Sequence, residues 1–255
     1  MEQNNYRDSD LSIPYDVIEL PSQGLLYPSK QKTVKVEYLT TMDESVLSAP
    51  NLLENGLFLD TLLERKIKDS EIHPKDMLMG DRLAILFFLR STGYGPMYPV
   101  NVFDPNTAQF FETEVDLSTL KVKKLNVKPT KDGLFDYQLP NTKKKVLFKL
   151  LTGGENTEID IRDEEFQKRS GNNQSNKVIY TLEKMIQSID GETDKMKISS
   201  IIHRLPIMDT RSLREYANSI EPGLDLNVSV RTPGGASVDT FLAIGRQFFW
   251  PDIRV

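Results

Sequence analysis

Cysteine is absent from this 255-residue chain, and histidine occurs only twice, at His73 and His203. Without cysteine there is no disulfide, no thiolate metal site and no cysteine nucleophile. Two isolated histidines rarely form a metal site, so we expect each to be structural. No apolar run reaches the roughly 18 residues of a transmembrane helix, and residues 1–5 lack a secretory signal pattern. We therefore expect no membrane span, no secretion and no bound cofactor or metal.

The charge balance is slightly acidic, with a net charge of -5. General nucleic-acid-binding proteins usually have a basic domain, so nucleic acid is not an expected partner. Lysines between positions 121 and 145 make the middle region locally basic, which favours a lysine-guarded strand edge over a phosphate-binding patch. The chain has neither the Gly-x-Ser-x-Gly elbow nor the Gly-x-x-x-x-Gly-Lys phosphate loop. We predict no enzyme activity, no small-molecule substrate and no catalytic residue.

Residues 80–111 form the stretch around which we expect the fold to be organised. Positions 81–90 are apolar on nearly every side, which predicts a buried helix capped by Asp81 and ended by Gly93. Residues 100–111 alternate on both sides of an Asp-Pro-Asn turn, as in a β-hairpin. The residues predicted to be buried are Ile85, Leu86, Phe87, Phe88, Leu89, Val102, Leu182, Ile186 and Leu213.

A pattern repeats within the chain. Val-x-Val-x-x-Pro-x-x-Ala-x-apolar occurs at residues 100–110 and, without a gap, at 228–238, which lie 128 residues later. Each copy follows a predicted helix that begins at an aspartate, Asp81 or Asp209. A duplicated helix-plus-hairpin unit would explain this spacing. The alternative is that two unrelated hairpins share alternation and a proline turn.

The predicted fold class is α+β, with two helix-plus-β-hairpin units and additional helices. Residues 1–33 are polar and punctuated by prolines, so we interpret them as an extended N-terminal arm. A first α+β unit is predicted at 34–168, a linker without apolar residues at 169–176, and a second helical and hairpin unit at 177–255. In the second unit, the apolar stripe over 178–189 predicts one continuous helix.

The candidates for partner binding are apolar residues of the arm, the two hairpin turns and an aromatic tail. Leu25, Leu26 and Tyr27 cannot form a core of their own, so they either pack on their own domain or dock on a partner. The full candidate set is Leu25, Leu26, Tyr27, Asp104, Pro105, Pro233, Gly234, Phe248, Phe249 and Trp250.

Short blocks along most of the chain resemble the baseplate proteins of T-even-type contractile-tail bacteriophages. That family includes a baseplate hub subunit and a hub assembly factor. The strongest block is Asp-Met-Leu-Met-Gly-Asp-Arg at 76–82 with Arg-Ser-Thr-Gly-Tyr-Gly at 90–95. The other blocks lie at residues 20–28, 38–44, 115–120, 148–153 and 248–251.

The hairpin turns depart from the family pattern. Similar sequences often carry a Cys-Pro-x-Cys knuckle there, as in a zinc ribbon. This chain has Asp104 and Thr107 in the first turn, and Thr232 and Gly235 in the second. Aspartate and threonine are poor zinc ligands, so the resemblance implies degenerate zinc-ribbon-like hairpins that fold without metal.

The resemblance implies a non-enzymatic structural or assembly protein of the baseplate hub, which binds other hub or tape-measure proteins. It would be assembled in the host cytoplasm and located in the virion. A transient hub assembly chaperone that is absent from the mature virion is left open, as are copy number and oligomer formation within the baseplate. A hydrolase with a non-standard site is a third alternative, and it predicts a deep polar pocket with perturbed carboxylates.

Overall fold

The computed structural model describes residues 12–47, 58–171, 174–242 and Phe248. Helices and small antiparallel sheets make up this part of the chain, which confirms the predicted α+β class. The helices are α1 (Thr41–Leu47), α2 (Phe58–Lys66), α3 (Met79–Tyr94), α4 (Gly153–Ser170), α5 (Lys177–Met185), α6 (Lys195–Ile202) and α7 (Ile207–Ile220).

The strands are β1 (Tyr15–Glu19), β2 (Thr33–Glu37), β3 (Ile67–Lys68), β4 (Met97–Asp104), β5 (Gln109–Asp116), β6 (Val122–Lys123), β7 (Phe135–Gln138), β8 (Lys145–Phe148), β9 (Ile186–Ile189), β10 (Gly223–Leu224), β11 (Asn227–Arg231) and β12 (Ser237–Phe241). They form two three-stranded sheets, β1-β2-β3 and β7-β8-β9. The β4-β5 and β11-β12 hairpins and the short β6-β10 pair complete the described sheets. No helix in the described part is both long enough and apolar enough to cross a bilayer.

The two halves of the chain follow the same order of elements. Within the described residues, each half has a three-stranded sheet with two helices between its second and third strands, then a helix, then a hairpin. The second half adds α6 before that last helix. In both halves the first helix after the second strand starts with a reciprocal cap, between Thr40 and Asp43 and between Thr152 and Glu155. The duplication therefore stays a hypothesis, but one that would span most of the described chain.

Two buried aspartates occupy matching places in this order. Asp81 and Asp209 are each the third residue of their helix, α3 and α7, and neither is accessible to solvent. Asp81 accepts a hydrogen bond from the Ser22 N–H at 2.8 Å, and Asp209 accepts one from the Asn141 N–H at 2.7 Å. Both donors lie in the turn between the first two strands of the sheet in that half. Each aspartate therefore ties a helix to a hairpin turn, and the prediction that Asp81 caps its helix was wrong.

The two hairpins do not match residue for residue, contrary to the prediction from the gap-free sequence pattern, because their second strands are offset by one residue. In the first hairpin the pair that closes the turn is Asp104 and Gln109. In the second hairpin the Thr232 N–H donates to the Ala236 carbonyl, so that turn is one residue shorter. A duplication therefore requires a deletion in the second turn.

Helix α3 is buried at the centre, as its apolar sequence predicted. Gly95, not Gly93, takes the positive φ of 86° that ends it. Phe88 is the exception among the predicted core residues, because it is only partly buried and contacts the ring of Tyr38. The predicted core residues that are buried are Ile85, Leu86, Phe87, Leu89, Val102, Leu182, Ile186 and Leu213.

The described part of the predicted arm belongs to the folded body. β1 pairs along its whole length with β2, and Leu20 is fully buried. The hydroxyl of Tyr27 donates to the Asp81 carboxylate and accepts from the Leu78 N–H. Tyr27 therefore packs on its own domain and Leu26 does so in part, whereas Leu25 is exposed.

The predicted linker connects α4 to α5, and strands that precede it pair with strands that follow it. Strand β9 pairs with β8, and β10 pairs with β6, so both pairings cross the predicted boundary at 169–176. The Asp163 carboxylate in α4 accepts hydrogen bonds from Ser175 and the Asn176 N–H, which holds the end of this connection in place. The predicted single helix over 178–189 was also wrong. The helix α5 stops at Met185 because Ile186–Ile189 pairs with β8 as a strand.

Candidate functional site

The two hairpin turns meet tip to tip around one carboxylate. Asp104, at the end of β4, accepts hydrogen bonds from the N–H of Asn106 and from the N–H of Gly234 in the other turn, both at 2.9 Å. The side-chain amide of Asn106 donates to the Gly234 carbonyl at 2.8 Å. These bonds fix the two hairpins relative to each other at their tips.

The hydrogen bonds hold Asp104 in its ionised form. Burial acts to raise the pKa of its carboxyl, but the donors outweigh burial and the pKa lies below its ordinary value. The donors are the N–H groups of Asn106 and Gly234 and the side chains of Thr107 and Thr232. Because the folded-state pKa is lowered, this stabilisation is present above the pKa of the unfolded chain and is lost as the pH falls through the folded-state value.

The positions that the resemblance aligns with a zinc knuckle converge here. Asp104 lies within hydrogen-bonding reach of Thr107 and Thr232, and the Gly235 N–H donates to the Thr232 carbonyl. A carboxylate, two hydroxyls and a glycine do not fit zinc, which prefers thiolate and imidazole ligands. Within the described residues, no group of three or more His, Cys, Asp or Glu could hold a metal ion. The donor set instead builds a carboxylate-centred hydrogen-bond cluster.

An aromatic pair is exposed on the outer face of the first hairpin. Phe103 and Phe110 are cross-strand partners with ring centroids 5.3 Å apart, and they are 46% and 69% exposed. Sequence reasoning missed them as candidates. The signal was present, because each strand has two consecutive apolar residues next to the turn, and alternation sends one of them to solvent.

Below the tips, β5 and β11 border an open groove of about 540 Å³. Residues 113–116 and 227–231 line its two sides, and Leu120 and Lys121 line its base. Its carboxylates are Glu114, Asp116 and Asp225, and its cations are Lys121 and Arg231. The groove is therefore polar and slightly acidic.

The predicted partner-binding residues divide into four groups. Leu25, Pro105 and Pro233 are exposed, while Leu26 and Gly234 are partly buried. Three others are buried, contrary to the prediction that they face a partner: Tyr27 against Asp81, Asp104 at the hairpin tips, and Phe248 between the rings of Phe87 and Tyr98. Phe249 and Trp250 lie outside the described residues.

Among the described residues, Asp81 and Glu221 are the carboxyl groups with a raised pKa, the kind of group that the hydrolase alternative predicts. Burial raises the pKa of Asp81, and burial also raises the pKa of Glu221 to about 7. Lys123 partly offsets the effect on Glu221, and the charge of Asp81 adds to it. Neither group lines the groove between β5 and β11 or the two polar clefts along α4. The raised pKa values of Asp81 and Glu221 therefore result from burial in the interior around α3.

The cleft between α4 and α5 is lined with paired charges. The Lys149 ammonium contacts the Glu155 carboxylate, Lys184 lies 2.6 Å from Glu158, and the Arg162 guanidinium stacks over a tyrosine ring. Paired charges of this kind satisfy one another and leave no carboxylate set apart for acid–base work.

No family model, curated protein or solved structure matches this chain.

Proposed function

We propose that the chain is a non-enzymatic structural or assembly protein of a contractile-tail bacteriophage baseplate hub, and that it binds other hub or tape-measure proteins. The sequence blocks that resemble this family support the assignment to a hub. The exposed surfaces of the hairpins support a role in binding neighbouring proteins. The protein would be assembled in the host cytoplasm and located in the baseplate of the virion.

The exposed Phe103–Phe110 pair is the observation that carries the partner-binding role. Large aromatic side chains dominate the binding energy of interfaces, and they are enriched there relative to the rest of a protein surface. A hairpin needs only one face buried, so two phenylalanines on the opposite face add little to folding. Their exposure is accounted for if a partner covers them.

Strand β1 offers a second apolar surface. It is the edge strand of its sheet, and Tyr15 and Val17 project from it into solvent. Because Ser22 and Asn141 are equivalent donors, Val17 corresponds to Asp136 on β7, the edge strand of the other three-stranded sheet, and Asp136 is polar and exposed. The exposed valine on β1 is therefore not required by the shared architecture.

Co-purification with hub and tape-measure proteins tests the proposal. A Phe103→Ser, Phe110→Ser double variant should lose about 2 kcal/mol or more of binding free energy, as for interface hot spots. Its own unfolding free energy should fall by no more than about 1 kcal/mol, the usual worth of a cross-strand pair. Met196→Ser is the matched control, because Met196 is 83% exposed on α6, a helix that packs against α5 and β9. Equal capture by all three proteins would contradict the proposal.

Mass spectrometry of purified particles then separates a retained component from a helper. A retained hub component should be present in mature particles at constant stoichiometry. Presence in assembly intermediates but absence from mature particles would favour the assembly chaperone instead.

A further inference from the structure

The two hairpins leave two strand edges facing each other across the groove. Within the described residues, β5 pairs with β4 alone and β11 pairs with β12 alone. Consecutive residues of both strands line the groove, 113–116 on one side and 227–231 on the other. Side chains alternate between the two faces of a strand, so lining by consecutive residues means that strand edges border the groove.

The register of the first hairpin shows which backbone groups of β5 point into the groove. The Leu117 N–H donates to the Pro96 carbonyl, which makes these two a hydrogen-bonded pair. Bonded and non-bonded pairs alternate along an antiparallel ladder, so the Pro99–Glu114 pair is non-bonded, as the missing N–H of proline requires. The N–H and C=O of Glu114 therefore point away from β4 and toward the groove.

The same reasoning applies to β11. The Thr232 N–H donates to the Ala236 carbonyl, so these two residues are a hydrogen-bonded pair. Counting back along the ladder, the pair at Val230 is also bonded, and the pairs at Arg231 and Ser229 are non-bonded. The N–H and C=O groups of Ser229 and Arg231 therefore point away from β12. Both walls of the groove thus present backbone donors and acceptors that have no partner among the described residues.

The groove is held open at both ends by contacts already formed. At the tips, the Asp104 carboxylate and the Gly234 N–H join the hairpins. At the base, β6 pairs with β10 and the Asp225 N–H donates to the Lys121 carbonyl at 2.8 Å. A site that is fixed before binding costs less to order when a partner arrives.

We propose that this groove accepts an extended segment of another protein as an added β-strand between β5 and β11. The strand would run antiparallel to one wall and parallel to the other, because β5 leads away from the joined tips and β11 leads toward them. Three carboxylates against two cations in the lining favour a segment that carries lysine or arginine on one face. The inference rests on the proposed role as a partner-binding protein and names the kind of segment that is bound.

Binding of a defined basic peptide tests the proposal. The probe is a fluorescein-labelled, end-capped peptide of about six residues, the usual strand length, that alternates lysine and valine. Glu114→Pro and Ser229→Pro each remove one N–H that faces the groove, and an edge strand tolerates proline at such positions. Each should weaken binding by about fivefold, as for one lost hydrogen bond, and the double variant should weaken it further.

Two controls separate backbone from side-chain effects. Glu112→Pro removes an N–H from the same edge of β5 but outside the groove lining, so binding should be unchanged. Glu114→Ala keeps the N–H, so at raised salt, where charge is screened, it should bind like the wild-type chain while Glu114→Pro stays weak. A peptide with glutamate in place of lysine should bind more weakly than the basic one.

Wild-type affinity in a folded double-proline variant would overturn the proposal, and so would failure of the wild-type chain to bind the basic peptide. A concentration-dependent dimer that the peptide does not displace would also overturn it, since a second copy would then occupy the groove. The assay uses the isolated chain, so its outcome is independent of particle composition. The peptide-binding assay can therefore give a negative result while the particle experiments support the proposed function, and the reverse is also possible.

Discussion

Glu221 provides a quantitative test of how the two halves of the chain are packed together. It directly follows α7, next to the Pro222-Gly223 backbone that lies against Gly80 of α3. A Cβ built on Gly80 would sit 1.8 Å from the Pro222 carbonyl oxygen, so this contact is very close. Burial at this junction raises the pKa of the Glu221 carboxyl from 4.5 to about 7. The native chain therefore keeps a proton there that the unfolded chain releases.

The sign and size of the effect follow from proton linkage. Well below pH 4.5 the carboxyl is protonated in both states, so it makes no difference to stability. As the pH rises toward 7, only the unfolded state loses the proton, and the free energy of unfolding falls. The total loss is about 3 kcal/mol, because each pKa unit corresponds to about 1.4 kcal/mol. Glu221→Gln removes this loss, since the amide stays neutral at every pH.

Urea unfolding of the wild type and Glu221→Gln from pH 4 to pH 8.5 measures the difference. The two proteins should unfold alike at pH 4, and the variant should be more stable by about 3 kcal/mol at pH 8. Glu215→Gln is the matched control on the same helix, because Glu215 is exposed and pairs with the exposed Arg211. A stability difference between wild type and Glu221→Gln that does not change with pH would refute the reasoning.

Three further predictions concern the packing around α3 and the hairpin tips. Phe87→Ala should lower the unfolding free energy by about 3–5 kcal/mol in urea titrations, because its buried ring packs 4.7 Å from Phe248. Phe88→Ala should cost clearly less, and equal losses would contradict the central position of Phe87. Tyr27→Phe should cost about 1–3 kcal/mol, since it leaves Asp81 and the Leu78 N–H without their shared hydroxyl, and a neutral effect would contradict that network. Asp104→Asn should speed amide exchange at Gly234, because the amide can accept from only one of the two turn N–H groups; unchanged exchange would mean that the tips are joined by other contacts.

The helix at 79–94 and both hairpins were predictable because local pattern and burial agree there. Continuous apolar sequence marks α3, and alternation around a proline turn marks each hairpin. The class α+β followed directly. Side chains that satisfy a distant partner were harder to place, because spacing along the chain carries no information about such partners.

Asp81, Tyr27 and Ile186 show what the local sequence pattern could not place. Asp81 looks like a helix cap in sequence, but its carboxylate receives donors from a turn that lies 59 residues earlier. Tyr27 looks free in a proline-rich segment, but that turn folds back onto α3. The stripe through Ile186 has helical spacing, but the open edge of β8 recruits it as a strand, so tertiary pairing overrides local periodicity.

The exposed Phe103–Phe110 pair and the open strand edges are the basis of the proposed role, so contacts within the particle test it most directly. Cross-linking mass spectrometry on purified baseplates would place each protein next to its neighbours. The account predicts cross-links from lysines beside the hairpins, such as Lys121, to another hub or tape-measure protein. Absence of the chain from both mature particles and assembly intermediates, or cross-links that leave the hairpins uncovered, would contradict it.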